Sequence, residues 1–121
     1  MKPCHRVGIR QPIIPAHCDQ GFHLCFLLMP HWKARSPFIA QLRERSVHAV
    51  FHCLPLHRSE SAQKRNWHNV DCPETDDVSQ RLVRLPLHTS LTSNELVKVI
   101  EVCRLFVPSS HQLDSHPNIF Q

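Results

Sequence analysis

Hydrophobic positions along this chain fall in short runs separated by prolines and polar stretches. Leu24 to Met29 is wholly apolar and Pro30 ends it, which predicts a short strand buried on both faces. Ser36-Pro37 reads as a helix start, with serine as N-cap and proline at the first helical position. Phe38, Ile39 and Leu42 follow at helical spacing, so the pattern predicts a helix over about 36–45. Val47 to Leu54 reads as a second strand, stopped by Pro55. Residues 57–73 are polar and without period, which predicts a long loop. Thr75 then reads as the cap of a helix with Asp76 and Asp77 in its first turn, where negative charge meets the positive helix end. Val78, Leu82 and Leu85 give that helix an apolar side, and Leu85-Pro86-Leu87 follows as a short extended piece. Thr92-Ser93-Asn94-Glu95 has the form of a capping box, and Leu96, Val99, Ile100, Cys103 and Phe106 form an apolar stripe behind it, with Pro108 as the stop.

The predicted order is strand, helix, strand, loop, helix, short extended piece, helix. Two neighbouring strands with helices on one face make an α+β layer. Residues 1–20 hold three prolines and no clear period, so they read as an extended lead-in. The domain is expected over 21–107, and the polar residues 108–121 as a flexible tail. No internal repeat is visible, and there is no glycine-rich phosphate loop, G-x-S-x-G or H-E-x-x-H.

Length and composition narrow the picture. With 121 residues the chain is one domain at most, and its 41% hydrophobic and 20% charged content is ordinary for a globular protein. The longest apolar run, Leu24 to Pro30, is far short of the ~20 residues of a spanning helix, so no membrane association is expected. No apolar stretch of signal-peptide length follows Met1, and a cytoplasmic location is expected. The net charge of +4 is small and scattered, unlike the basic stripe of a nucleic-acid binder.

Eleven histidines and six cysteines raise the question of a metal. No two cysteines have the close spacing of a zinc knuckle, and although His23 and Cys25 would share a face on a strand, adjacent His52 and Cys53 would not. No metal site is expected; Cys25 and Cys103 read as core residues, and free thiols are the default without a secretory signal.

The segment Val50-Phe51-His52-Cys53-Leu54-Pro55-Leu56-His57 resembles the V-F-H-Y-x-P-L-H segment of DegT/DnrJ/StrS-type sugar aminotransferases, which depend on pyridoxal phosphate (PLP). His23-Leu24 with Leu27-Leu28-Met29-Pro30 is similar to their H-x-F-Y-L-L-M-P strand, and Arg35 with Phe38-Ile39-Ala40 and Leu42 to the helix after it. Thr75 to Leu87 resembles the segment ending in R-L-P-L, and Thr92 to Phe106 the last helix of these enzymes. The resemblance runs from about Ile13 to Phe106. Its nearest branch makes dTDP-4-amino-4,6-dideoxygalactose from dTDP-4-keto-6-deoxyglucose, with glutamate as amino donor, for cell-surface polysaccharide or antigen synthesis.

In such enzymes this region is the C-terminal small domain. The resemblance therefore implies a small antiparallel sheet with helices on one face. The large domain of these enzymes carries the Schiff-base lysine, the aspartate facing the pyridine nitrogen and most of the phosphate cradle. None of the four lysines, Lys2, Lys33, Lys64 and Lys98, lies in a segment resembling the family's lysine motif. The chain is expected to bind no PLP alone, to contribute no catalytic residue, and to partner the missing large domain or a full-length transaminase subunit.

There are departures from the family pattern. Cys25 and Cys53 stand where an aromatic residue, often tyrosine, is usual, and Arg58-Ser59-Glu60-Ser61-Ala62-Gln63 replaces a pattern nearer S-S-P-A-G. Loss of a phenol at position 53 removes a hydrogen-bond donor near the substrate.

The resemblance implies that the segment after the second strand approaches the active site at a subunit interface. It makes His52, His57, Arg58, Ser59 and Arg84 the candidate dTDP-sugar-binding residues. His57 could bond a sugar hydroxyl or phosphate, or be a surface loop histidine; His52 could be a core residue. Arg84 could hold a carboxylate or phosphate, or offset a helix dipole, the reading the pattern favours. Trp67 is expected to pack on the domain. Two other functions compete with an aminotransferase fragment: a non-catalytic binding or regulatory module docking on a full-length transaminase, and a small metal protein.

Overall fold

A computed structural model describes residues 8–67 and 70–106, so residues 1–7 of the lead-in and the tail from Val107 onward, Pro108 included, lie outside the described residues. The elements in chain order are β1 (Cys25–Leu28), α1 (Trp32–Glu44), β2 (Val50–Phe51), a 3-10 turn at Leu56–Arg58, α2 (Glu60–Lys64), α3 (Pro73–Arg81), β3 (Leu82–Leu85) and α4 (Ser93–Arg104). The class is α+β, as expected.

The three strands form one antiparallel sheet in the order β1-β3-β2. The two strands anticipated as neighbours are thus separated by a third, which the apolar side assigned to the preceding helix had concealed. Leu82 and Leu85 are three apart, the spacing of a helix face, whereas on a strand they point to opposite sides. Strand pairing decides it, because Leu82–Leu85 finds hydrogen-bonding partners on both sides. Leu85 retains the extended conformation expected of it, but as the end of β3.

Val83 is fully buried and sits opposite Leu27 in β1 and Phe51 in β2, so these three share one face. Against that face lie Ala34, Phe38 and Leu42 of α1, spaced four apart, and Val99, Val102 and Cys103 of α4 with Phe106. Phe38 and Phe106 meet edge to face, with ring centroids 4.9 Å apart. Leu96 of the anticipated stripe is exposed instead.

The lead-in contributes to this core. Ile9 is 1% exposed, and Arg10 exchanges two backbone hydrogen bonds of 2.9 Å with Leu28, on the edge of β1 away from β3. Gly8 allows the entry: its φ is +72°, and a Cβ there would meet the Pro30 ring at 3.1 Å.

Helix starts differ from expectation in two places. α1 begins a turn before Ser36, with His31 as N-cap; the His31 ring accepts from the Lys33 amide at 3.2 Å. Pro37 then lies inside the helix and forfeits one bond, to the Lys33 carbonyl; aligning Ala34 with Phe38 and Leu42 in the core outweighs that loss. α3 begins at Pro73 rather than after Thr75, because proline's fixed φ suits the first helical position. Its N-cap, Cys72, makes no side-chain cap bond.

The second strand is two residues long, not eight. α1 ends in a left-handed residue, Ser46 (φ +59°), and the Val47 amide bonds back to Leu42 at 2.9 Å, so Val47 belongs to the helix end. The polar segment 57–73 also holds structure. Ser59 caps α2, accepting from Ala62 at 3.2 Å and donating to the Leu56 carbonyl at 2.6 Å. α2 closes in the same way as α1, with Asn66 left-handed and the Trp67 amide bonded to Ala62 at 2.8 Å. The capping box of α4 is complete: the Thr92 amide donates to Glu95 Oε2 at 2.8 Å, and the Glu95 amide to Thr92 Oγ1 at 3.3 Å.

Candidate functional site

Beyond β2 the chain turns over the start of α3 and leaves an open groove of about 630 Å³. Cys53, Leu54, Pro55 and Leu56 form one wall, and Glu74, Thr75, Val78 and Ser79 of α3 the other, with His52 and Leu82 between. The lining is mostly apolar and its polar side chains include no lysine or arginine.

The five candidate residues divide by position. His52 lines the groove, and its Nδ1 is fully enclosed without a hydrogen-bond partner among the described residues. A buried imidazole nitrogen left so is costly, which makes it the unsatisfied polar atom of the site.

His57 and Arg58 leave the rim of the groove and converge on one carboxylate. His57 Nε2 lies 3.0 Å from Asp76 Oδ1; Arg58 donates from Nη2 to Oδ2 at 2.6 Å and from Nε to Oδ1 at 3.3 Å. Arg58 and then His57 hold the Asp76 carboxyl below the usual carboxylate range, and Asp76 in turn raises the Arg58 guanidinium. Ser59 is occupied as the cap of α2.

Arg84 lies on the central strand, opposite Phe26 and Val50 and on the face away from Val83. That corrects the reading of Arg84 as a helix-end cation. Trp67 does not pack on the domain: it is 59% exposed, with the Arg65 guanidinium 5.3 Å from its ring centroid. Sequence reasoning missed Asp76, which it assigned only to a helix dipole. The signal was a carboxylate beside a predicted helix start, but nothing in the order of residues links it to a His-Arg pair 18–19 positions earlier.

Among the described residues no group of three or more His, Cys, Asp or Glu is arranged to hold a metal ion. Cys25 is half-buried and burial pushes its thiol up, away from the reactive thiolate. No described helix is long and apolar enough to cross a membrane.

The described residues do not fit PLP either. Lys64 pairs with Glu60 at 2.6 Å, Lys33 sits 5.5 Å from the Trp32 ring centroid, and Lys98 is exposed on α4. None lines the groove, and the groove offers no lysine or arginine for a phosphate.

Comparison with known proteins gives this geometry its context. An uncharacterized protein of Methanocaldococcus jannaschii, MJ1066, is 25% identical over 104 residues, which span 83% of this chain and 27% of that protein. The aminotransferase TlmJ from Streptoalloteichus hindustanus superposes with a TM-score of 0.68 at 24% identity, over 80% of this chain and 25% of TlmJ. The sugar aminotransferase CalS13 from Micromonospora echinospora gives the same TM-score, 0.68, at 18% identity, with 80% and 25% covered. At these identities the two structures establish the fold. The chain spans about a quarter of the length of the proteins it matches. The family itself is matched over residues 6–104, about four-fifths of the sequence, and the chain belongs to the DegT/DnrJ/EryC1/StrS aminotransferase family.

Proposed function

We propose that this chain is the C-terminal small domain of a sugar aminotransferase and performs no transamination alone. One observation carries the reading: a family match over residues 6–104 joined to a groove without lysine or arginine. PLP chemistry needs a lysine to hold the cofactor and cations to hold its phosphate. Those groups belong to the remainder of such an enzyme, on the same polypeptide or another. The parent reaction is transfer of an amino group from glutamate to a nucleotide-linked keto sugar. The likeness of Val50 to His57 favours dTDP-4-keto-6-deoxyglucose and a role in cell-surface polysaccharide synthesis in the cytoplasm. In the assembled enzyme His52, His57, Arg58, Ser59 and Arg84 face or support the sugar side.

A second reading is a non-catalytic module that docks on a full-length transaminase. It is favoured by Phe51, Leu54 and Leu56, which are 64%, 63% and 86% exposed within six residues of one another.

The test mixes the purified chain with PLP, glutamate and dTDP-4-keto-6-deoxyglucose and traps any Schiff base with borohydride. Neither amino sugar nor a pyridoxyl-lysine is expected. Adding the large domain of a family aminotransferase is expected to restore turnover. Amino sugar formed by the chain alone, with a pyridoxyl group on one of its lysines, overturns the proposal.

A further inference from the structure

The two walls of the groove are separate in sequence and belong to different elements. Leu54, Pro55 and Leu56 precede His57 and Arg58 directly, while Thr75 and Val78 flank Asp76 in the first turns of α3. Among the described residues, the side-chain hydrogen bonds that join these walls all end on Asp76. We propose that Asp76 is a positioning residue: acting through His57 and Arg58, it holds the two walls of the groove together and fixes the orientation of the His57 ring.

The two arms differ in kind. The His57 and Asp76 side chains are 10% and 20% exposed, so their bond is shielded from water. Arg58 is 54% exposed, and a solvated ion pair contributes little by itself. Its two-pronged grip on Asp76 instead fixes how the carboxylate is turned. That leaves Oδ1 in place for the imidazole. A carboxylate accepts only, so His57 donates from Nε2, and Nδ1 of the neutral ring becomes an acceptor. The walls then have a set spacing, and the His57 ring a single tautomer. A part for this clamp in placing His57 and Arg58 toward a sugar substrate rests on the aminotransferase reading; the clamp itself rests on geometry alone.

The experiment uses the full chain, labelled with nitrogen-15, as wild type, Asp76→Asn and Asp76→Glu. Two readouts are taken: the ring nitrogen shifts of His57, and exchange of the Arg58 and Ser59 amides, which bond to the carbonyls of Pro55 and Leu56. In the wild type the His57 shifts are expected to report one tautomer with the proton on Nε2. Asp76→Asn is expected to mix the tautomers and to speed exchange at Arg58 and Ser59 by roughly tenfold, as a local opening does. Exchange at Val83 and Val102 should stay unchanged, and Asp76→Glu should restore much of both signals.

Unchanged tautomer and exchange in a folded Asp76→Asn chain overturn the proposal. So does acceleration spread equally to Val83 and Val102, which marks a general loss of stability. Should Asp76→Asn fail to fold, Arg58→Gln carries the same test, with a mixed His57 tautomer expected and an unchanged one overturning. None of these readouts depends on turnover, so failure of the clamp and failure of the aminotransferase reading are told apart.

Discussion

Arg81 and Met29 hold one another twice. The Arg81 guanidinium donates from Nε to the Met29 carbonyl at 2.8 Å, and the Met29 amide donates to the Arg81 carbonyl at 3.1 Å. Arg81 is the last residue of α3 and Met29 the first after β1, so the pair joins the helix bearing one groove wall to the sheet. Asp77 steadies the same guanidinium from one turn earlier, at 2.5 Å from Nη1.

Removing that side chain leaves the carbonyl of a fully buried residue with one partner fewer. Arg81→Ala is therefore expected to destabilise the chain by about 1–3 kcal/mol, the cost of an unsatisfied buried acceptor. Urea unfolding followed by circular dichroism measures it as a lower midpoint with an unchanged slope. An unchanged midpoint would mean that water replaces the guanidinium without loss.

Phe38→Ala tests where the core lies. Phe38 is fully buried and in edge-to-face contact with Phe106, so truncation removes both its apolar burial and the ring pair. A loss of about 3–5 kcal/mol is expected. That is a large fraction of the stability of a domain this small, so the variant should be partly unfolded at room temperature. A native-like near-ultraviolet spectrum and thermal midpoint would place the core elsewhere.

Ser46→Gly should run in the opposite direction. Ser46 is left-handed at the end of α1, and a side chain in that conformation costs roughly 1–2 kcal/mol that glycine avoids. Glycine loses about 0.5–1 kcal/mol of that gain to the freedom of the unfolded chain. The net expectation is a rise of a few tenths to about 1 kcal/mol, visible as a higher thermal midpoint. A lower midpoint would show that Val47 and Leu42 hold the turn without strain.

These elements also mark where the sequence was legible. The capping box of α4 could be read because Thr92 and Glu95 are three apart and act on each other's backbone. β1 could be read from an apolar run bounded by proline. β3 was hidden, since an apolar spacing of three fits a helix until partners on both sides are known. β2 was overextended because the Ser46 helix end carries no glycine to announce it. At the site, the sequence singled out His57, Arg58 and Ser59 as neighbours in one segment after the second strand. That segment's engagement with Asp76 was not legible, because a tertiary pair of this kind leaves no trace in local spacing.

The Asp76 carboxyl gives that tertiary pair a signature in pH. Arg58 and His57 face it and hold it below its ordinary value of 3.8. A carboxyl depressed in the folded state stabilises the fold fully above its unfolded value, and loses that contribution as pH falls through the folded one. The difference in stability between wild type and Asp76→Asn should therefore shrink as pH falls from about pH 4 and vanish under stronger acid. Glu95 is likewise held low by its bonds to Thr92, so the wild type alone would mix two carboxylates on its acid limb. Subtracting the variant removes Glu95, since Asp76 answers to Arg58 and His57 and Glu95 to Thr92, and contributions from independent sites add. Urea midpoints for both proteins across this range supply the curve. A difference that stays level below pH 4, or grows there, would mean that His57 and Arg58 gain nothing from the ionised form of Asp76.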